Sequence, residues 1–343
     1  MQRSLLTVLL IVLSFPAILF AQKAKFGNAH VGLFYPVSTN GVHAPEYTNS
    51  FSLHLISGVS ANETSFALYG LTGIIKNNAT GVQVAGISNH IQNQARGVQI
   101  AGILNQIKNQ AAGIQVAGVT NLTGSFNGMQ IAGFCNLSKA SGSGVQIGGF
   151  FNKAGDVQMQ VAGFINEAHK VKGMQIAGFI NIADSSDFPV GIVNIIKNGE
   201  QSIGISIDET LTTMATFRSG GRVLYGILGL GYHFKNSKSL YGLEAGIGAH
   251  LLNTEHFRIN AEAATLTLAD FKKGEYFRSS FRLFPALKIG DRIELFGGPS
   301  FNFVTYSNDK GKGLVSHYLW SQTKRDHFHG MYIGVSGGIA VRL

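Results

Sequence analysis

The sequence predicts an all-β chain in two parts. Tandem repeats of about 16 residues, folded as a parallel β-solenoid, precede a long-stranded antiparallel sheet or outer-membrane-type β-barrel. Three observations predict it. Gly accounts for 44 of 343 residues and charged residues for only 13%, against average usages of about 7% and ~25%. A nine-residue motif recurs through the middle of the chain. Long, partly alternating stretches fill the last third.

The chain opens with Arg3 and an apolar run from Leu5 to Phe20, broken only by Thr7, Ser14 and Pro16. This run is short of the ~20 residues a spanning helix needs, and a small residue follows it. Residues 1–21 therefore read as a secretory signal peptide, cleaved after Ala21. Cleavage removes Arg3 and takes the net charge from +9 to +8. The cut has no neighbouring Cys, so no lipid anchor is expected. The lone Cys135 excludes a disulfide framework and a Cys-based zinc finger. No second long apolar run follows, which excludes a helical membrane protein but not a barrel, whose strands carry only a weak alternating signal. Residues 22–47 read as an N-terminal strand and linker. Phe26 to Val37 is expected to close a sheet with the C-terminal strand.

Residues 48–206 form the expected repeat module. Gly81-Val82-Gln83-Val84-Ala85-Gly86-Ile87-Ser88-Asn89 returns from Gly97, Gly113, Gly128, Gly144, Gln158 and Gly173, with worn copies at Ser65 and Ser186. The closing residues Asn89, Asn105, Asn121, Asn136, Asn152, Asn166, Asn181 and Asn194 are spaced by 16, 16, 15, 16, 14, 15 and 13. A short fixed period is the sign of a solenoid or array. Val98 and Ile100 are expected on one face of a strand, and Gln99 and Ala101 on the other. A corner at Gly102 is expected to return Ile103 to the inside. In a solenoid, equivalent residues stack ~4.8 Å apart, so the Asn residues would form one amide ladder. Gln83, Gln99, Gln115, Gln130, Gln146, Gln160 and Gln175 would form either a second core ladder or an exposed binding array. The alternative fold is a single barrel that includes the repeats. It is less favoured, because antiparallel neighbours would put identical sequences in opposed environments.

Residues 207–343 form the expected antiparallel domain. Arg222 to Phe234, Ser239 to Leu251, His256 to Leu268, Glu275 to Ile289, Arg292 to Tyr306 and Met331 to Leu343 are 12–15 residues each. Strands of that length cross a bilayer when tilted. Tyr225, Tyr232, Phe234, Tyr241, Phe257, Tyr276, Phe277 and Phe281 read as girdle residues. Ser307 to Asp326 reads as an external loop.

The Gly-x-Gln-(Val/Ile)-(Ala/Gly)-Gly-x-x-Asn copies, over about residues 65–194, resemble the bacterial surface-repeat proteins of Leptospira and Bacteroidetes. The resemblance implies a surface or outer-membrane location and supplies no catalytic residues. The C-terminal part resembles their outer-membrane-like tails more loosely, and Leu343 departs from the aromatic last residue usual in such barrels.

Chemistry is sparse. His317, His327 and His329, beside Asp326, are the best metal-ligand candidates, but strand-end histidines in a polar segment explain them as well. Cys135 fills a slot held elsewhere by Leu104 and Thr120 and reads as a small core residue. Glycoside cleavage needs paired carboxylates. Asp156, Glu167, Asp184 and Asp187 lie in linkers at no repeated register. Neither a Gly-x-Ser-x-Gly elbow nor a phosphate loop occurs, so no enzyme and no cofactor are expected. The sequons at Asn62, Asn78, Asn121 and Asn136 bear only on a eukaryotic route. Lys108, Lys139, Lys153, Lys170 and Lys172 fall between repeats and read as solvated edge residues. The expectation is a non-enzymatic outer-membrane or cell-surface protein with lipid as a partner, a glycan or surface ligand as a further one, and no nucleic acid. A porin-like barrel and a polysaccharide-active solenoid are the alternatives.

Overall fold

The computed structural model describes residues 25–234, 240–269, 276–307, 311–324 and 326–343. The expected signal peptide lies outside them, as does the linker Asn236-Ser237-Lys238.

From Lys25 to Ile196 the chain winds into a parallel β-solenoid of about ten turns. Leu104–Ala117 shows how the turns stack. It pairs in parallel with Ser88–Ile91 and Ala95–Ala101 on one side and with Thr120–Ala132 on the other. Gln115 lies opposite Gln99 and Gln130, and Asn105 opposite Asn89 and Asn121. The uneven repeat length is absorbed at an outer corner, where the register shifts between Ile107 and Gln110. The motif glycines mark the closest approach of successive turns. Gly97 has φ +117°, and a Cβ there would stand 2.1 Å from the Gly81 carbonyl oxygen. A Cβ on Gly102 would stand 2.1 Å from that of Gly86.

The interior is narrow, filled by the Gln and Asn side chains, small residues such as Ala95, Ala101 and Ala111, and Ile75, Ile91 and Ile107. Where Phe126 takes the place next to Ala111, the following turn offers Gly142 against its ring. Ile103 does not return inside: it is 48% exposed. After the corner at Gly102 two residues in succession face outward, and Asn105 is the one that re-enters.

The N-terminal strand Lys25–Phe34 does not reach the C-terminal strand. It pairs in parallel with Tyr47–His54 and is the first turn of the solenoid. Its free edge is covered in part by Val37–Ser38, and the short 3-10 helix Gly41–Glu46 packs beside it on Ser57–Ser60. A Lys25–Glu46 ion pair of 2.8 Å ties that helix down. The cover blunts an edge that would otherwise invite further strands.

The second unit is a closed antiparallel barrel of eight strands. They are Glu200–Asp208, Thr212–Gly220, Leu224–His233, Leu240–Asn253, Phe257–Ala269, Tyr276–Ile289, Ile293–Ser307 and His327–Arg342. The last pairs with the first, Ser202 opposite Arg342, which closes the wall. Trp320–Lys324 adds a short strand to the upper end of His327–Arg342. The solenoid thus begins at Lys25 rather than 48, and the barrel at Glu200 rather than 207.

Barrel polarity is inverted relative to a soluble domain. Leu230, Leu243, Phe281, Ile333 and Val335 are 57–66% exposed on the outer wall, while Arg258, Arg278, Glu244, Glu262 and Glu294 are buried inside. Tyr225 and Tyr276, expected in the girdle, are also buried. Period-two alternation puts them in the lumen with the charges.

Candidate functional site

Two polar constructions stand out: the amide ladders of the solenoid and the ionic filling of the barrel. Every Asn of the repeat, from Asn105 to Asn194, is fully buried, and Asn89 nearly so. Each donates its Nδ2–H to the Oδ1 of the next turn. Asn89 donates to Asn105 at 2.9 Å, Asn105 to Asn121 at 3.0 Å, and Asn121 to Asn136 at 2.9 Å. Asn136, Asn152, Asn166 and Asn181 continue the chain at 2.8, 3.0, 3.0 and 2.9 Å. The second amide proton goes to a backbone carbonyl, as from Asn121 to Ile131 at 2.8 Å. Asn194 ends the ladder on the barrel, donating to the Ser219 carbonyl at 3.1 Å.

The Gln residues are buried too, and their bonds run the other way. Gln99 donates to Gln83 at 2.9 Å and Gln115 to Gln99 at 3.2 Å. Gln146, Gln160 and Gln175 each donate to the preceding Gln at 2.9, 2.8 and 3.0 Å. The column breaks once: Gln130 donates to Thr123 Oγ1, leaving Gln115 Oε1 without a partner. The amide dipoles of the two columns therefore oppose each other along the solenoid axis. Two polarised chains, each of the kind that strengthens with length, are balanced side by side. The Gln side chains are a core ladder rather than an outward array.

In the first turns ionisable groups replace the amides. His30, Asn49, Ser52, His54, Glu63 and Tyr69 are all buried. His30 Nε2 lies 3.3 Å from His54 Nε2 and 2.9 Å from Ser38 Oγ. Ser52 donates to Glu63 Oε1 at 2.8 Å, and Tyr69 does so at 3.4 Å. Burial, with the charge of His54, pushes His30 down to about 4; burial pushes Glu63 up to about 7. His54 Nδ1 and Glu63 Oε2 have no hydrogen-bond partner. Sequence reasoning passed over this cluster because the repeat motif is absent there.

Inside the barrel, Glu262 holds Arg218 at 2.8 Å and accepts the Tyr225 hydroxyl at 3.0 Å. Arg282 pairs with Glu244 and reaches Glu262 at 3.7 Å. Arg258 joins Glu200 at 2.6 Å and Glu294 at 3.4 Å. Arg278 joins Asp208 at 2.7 Å. The cavities left among these groups are about 30 and 10 Å³, room for about one or two water molecules. The signal for this filling is the i, i+2 spacing of Arg258, Asn260 and Glu262, and of Arg278, Ser280 and Arg282.

The remaining candidates are placed as follows. Glu167 pairs with Lys153 at 2.7 Å, Asp187 with Arg222 at 3.7 Å, and Asp184 with Lys197. His169 lies 3.1 Å from both Asp156 and Asp184. Each acid thus ties neighbouring segments together. His329 bonds Thr305 Oγ1 at 3.1 Å. Among the described residues no group of three or more His, Cys, Asp or Glu side chains is arranged to hold a metal ion. Cys135 is buried, 3.3 Å from Thr120 Oγ1. No family model, curated protein or solved structure matches the chain.

Proposed function

We propose that the chain is a non-enzymatic protein of the bacterial outer membrane, in which a lipid-embedded eight-stranded barrel anchors a solenoid on the periplasmic side. The observation that carries this reading is the inverted polarity of the barrel. An apolar wall around a lumen that buries interlocked Arg–carboxylate pairs beside apolar clusters would cost free energy in water and is stable in a bilayer, where closure also satisfies the backbone groups.

Orientation follows from the connections. At the end where the solenoid enters, residues 221–223, 254–256 and 290–292 make short turns. The longest connection, 308–326, lies at the opposite end. Short turns face the periplasm and longer loops the exterior in such barrels. The solenoid thus stands on the inner side, and the outward loops are what a glycan or surface ligand would meet.

The porin-like alternative is disfavoured by the ionic filling, since among the described residues the interlocked Arg–carboxylate pairs are separated by cavities of only about 30 and 10 Å³. The polysaccharide alternative loses its repeated amide array to the core. Fractionation of cells expressing the full chain tests the main reading. Retention in carbonate- or urea-washed outer membranes, with lower gel mobility after boiling, is expected. Release into a soluble fraction would overturn it. Purified barrel should show no conductance in planar bilayers; stable single-channel steps would restore the pore.

A further inference from the structure

The outside of the solenoid carries a continuous apolar corner that none of the described residues covers. It follows the motif Gly of each turn. Ile87, Ile103 and Val119 are 39–48% exposed there. Phe134, Phe150 and Phe164 continue the column, 39–50% exposed, with rings stacked 5.1 Å apart. Phe179 stacks on Phe164 at 5.2 Å. Backbone hydrogen bonds between turns keep these residues in one register. The next residue of the column, Ile192, reaches the barrel. It lines a groove of about 620 Å³ in the outer wall, floored by small residues such as Ala263 and Ser279 and rimmed by Phe281 and Phe301.

We propose that this corner is a lipid-contacting surface, seated in the acyl boundary of the leaflet that holds the barrel. The inference rests on the membrane reading of the barrel. Three observations select lipid as the occupant. The column runs without a break into the apolar wall, through Ile192. The opposite corner of the same turns carries exposed Lys108 and Lys139, so the solenoid is amphipathic across its width, as elements that lie in a membrane interface are. The corner also lacks what a glycan needs. Phe134 and Phe150 are 3° from parallel, and Phe150 and Phe164 18°, so each ring face is occupied by the next ring. Only edges point outward, which suits acyl chains and denies a sugar its stacking platform.

The test uses the full chain with Cys135→Ala, refolded into phosphatidylethanolamine/phosphatidylglycerol vesicles. An environment-sensitive dye is attached at Phe150→Cys, at Ile103→Cys as a second corner position, at Lys108→Cys on the opposite corner, or at Ile333→Cys on the barrel wall. Quenching by doxyl-labelled lipid is read for each. Loss of fluorescence at positions 150, 103 and 333 but not 108 is expected. Quenching at 333 alone would overturn the lipid corner and leave the membrane barrel standing. No quenching at any position would overturn both. Dye at 150 shielded from lipid and water, with cross-linking between copies through that position, would make the occupant a second chain and overturn the inference.

Discussion

Replacing Asn121 by Ala removes one rung from the middle of the Asn ladder, and its cost can be worked from the bonds. Asn121 donates to Asn136 Oδ1 and to the Ile131 carbonyl, and accepts from Asn105. Asn105 keeps other acceptors at Val116 and Gln99, so its loss is small. Asn136 Oδ1 and the Ile131 oxygen lose their side-chain donor in a dry interior. An unsatisfied buried group costs roughly 1–3 kcal/mol, so two amount to about 2–6 kcal/mol. Asn89→Ala at the ladder's start provides the internal comparison. Asn89 Oδ1 already lacks a partner, and only its donations to Asn105 and Ile100 disappear. The substitution takes that unsatisfied oxygen away with it, so it should cost at least about 1 kcal/mol less than Asn121→Ala. Asn121→Asp should exceed both, because a carboxylate meets two acceptors with no proton to give. The assay is hydrogen exchange across residues 113–140 of the full chain in detergent, with Asn109→Ala at the exposed outer corner as control. Because turns contact only their neighbours, the loss of protection should spread outward from the altered turn. If Asn121→Ala behaves like Asn109→Ala, or Asn121→Asp is as mild as Asn121→Ala, the ladder is a by-product of stacking rather than one of its causes.

The first turns should show compensating pH dependences. The unfolded state takes up protons at His30 between about 6.5 and 4, so that group loses stability as pH falls. Glu63 keeps its proton when folded between 4.5 and about 7, so it loses stability as pH rises. Glu63→Gln should remove the second slope and make exchange protection of residues 25–69 fall toward acid more steeply, by up to about 1.4 kcal/mol per pH unit; an unchanged pH profile would contradict the assignment. Gly97→Ala should be severe, because positive φ and contact with Gly81 act together, while Gly41→Ala, with φ +53° and open space around it, should cost about 1 kcal/mol. Thermal unfolding compares the two, and equal shifts would remove the steric argument. Glu262→Ala strands Arg218 in the lumen and should lower barrel stability by about 3–5 kcal/mol, read as the temperature at which heat-dependent mobility changes.

The solenoid was legible in the sequence because its strongest constraint is periodic. The Asn spacing gave the stacking, and the motif glycines gave the corners. The direction each side chain faces was not legible. An amide column satisfies itself equally well inside or outside, so Gln99 and Gln115 carried no sign of burial. Ile103 was misassigned by the rule that aliphatics go inside, which holds for a wide core facing water. The turn before residue 48 and the ionisable cluster were not legible for a different reason: His30, Ser52 and Ala67 continue the Gln column, and Tyr69 an Ala slot, without the full motif. Tyr225 and Tyr276 lie near strand ends, where girdle residues are expected, but with both faces of Arg222 to Phe234 apolar the sequence does not say which way Tyr225 points; the structure turns both rings into the lumen.

Both units share one physical solution. A coil about sixteen residues around leaves a thin interior, filled mainly by small residues, amides that bond along the axis and one row of larger side chains such as Ile91, Ile107 and Phe126, and many other Ile and Phe residues are left at the surface. A barrel of eight strands has a lumen just wide enough for side chains; Arg–carboxylate pairs share it with buried apolar clusters around Leu266 and Phe284, while many other apolar residues face out. In water either arrangement would leave contiguous apolar surface of the kind that marks a membrane or partner contact. Beside a bilayer the same area becomes a continuous contact surface, running along the phenylalanine corner, across Ile192 and onto the wall. The polarity that made the sequence hard to read residue by residue is thus the property that argues most strongly for where the protein resides.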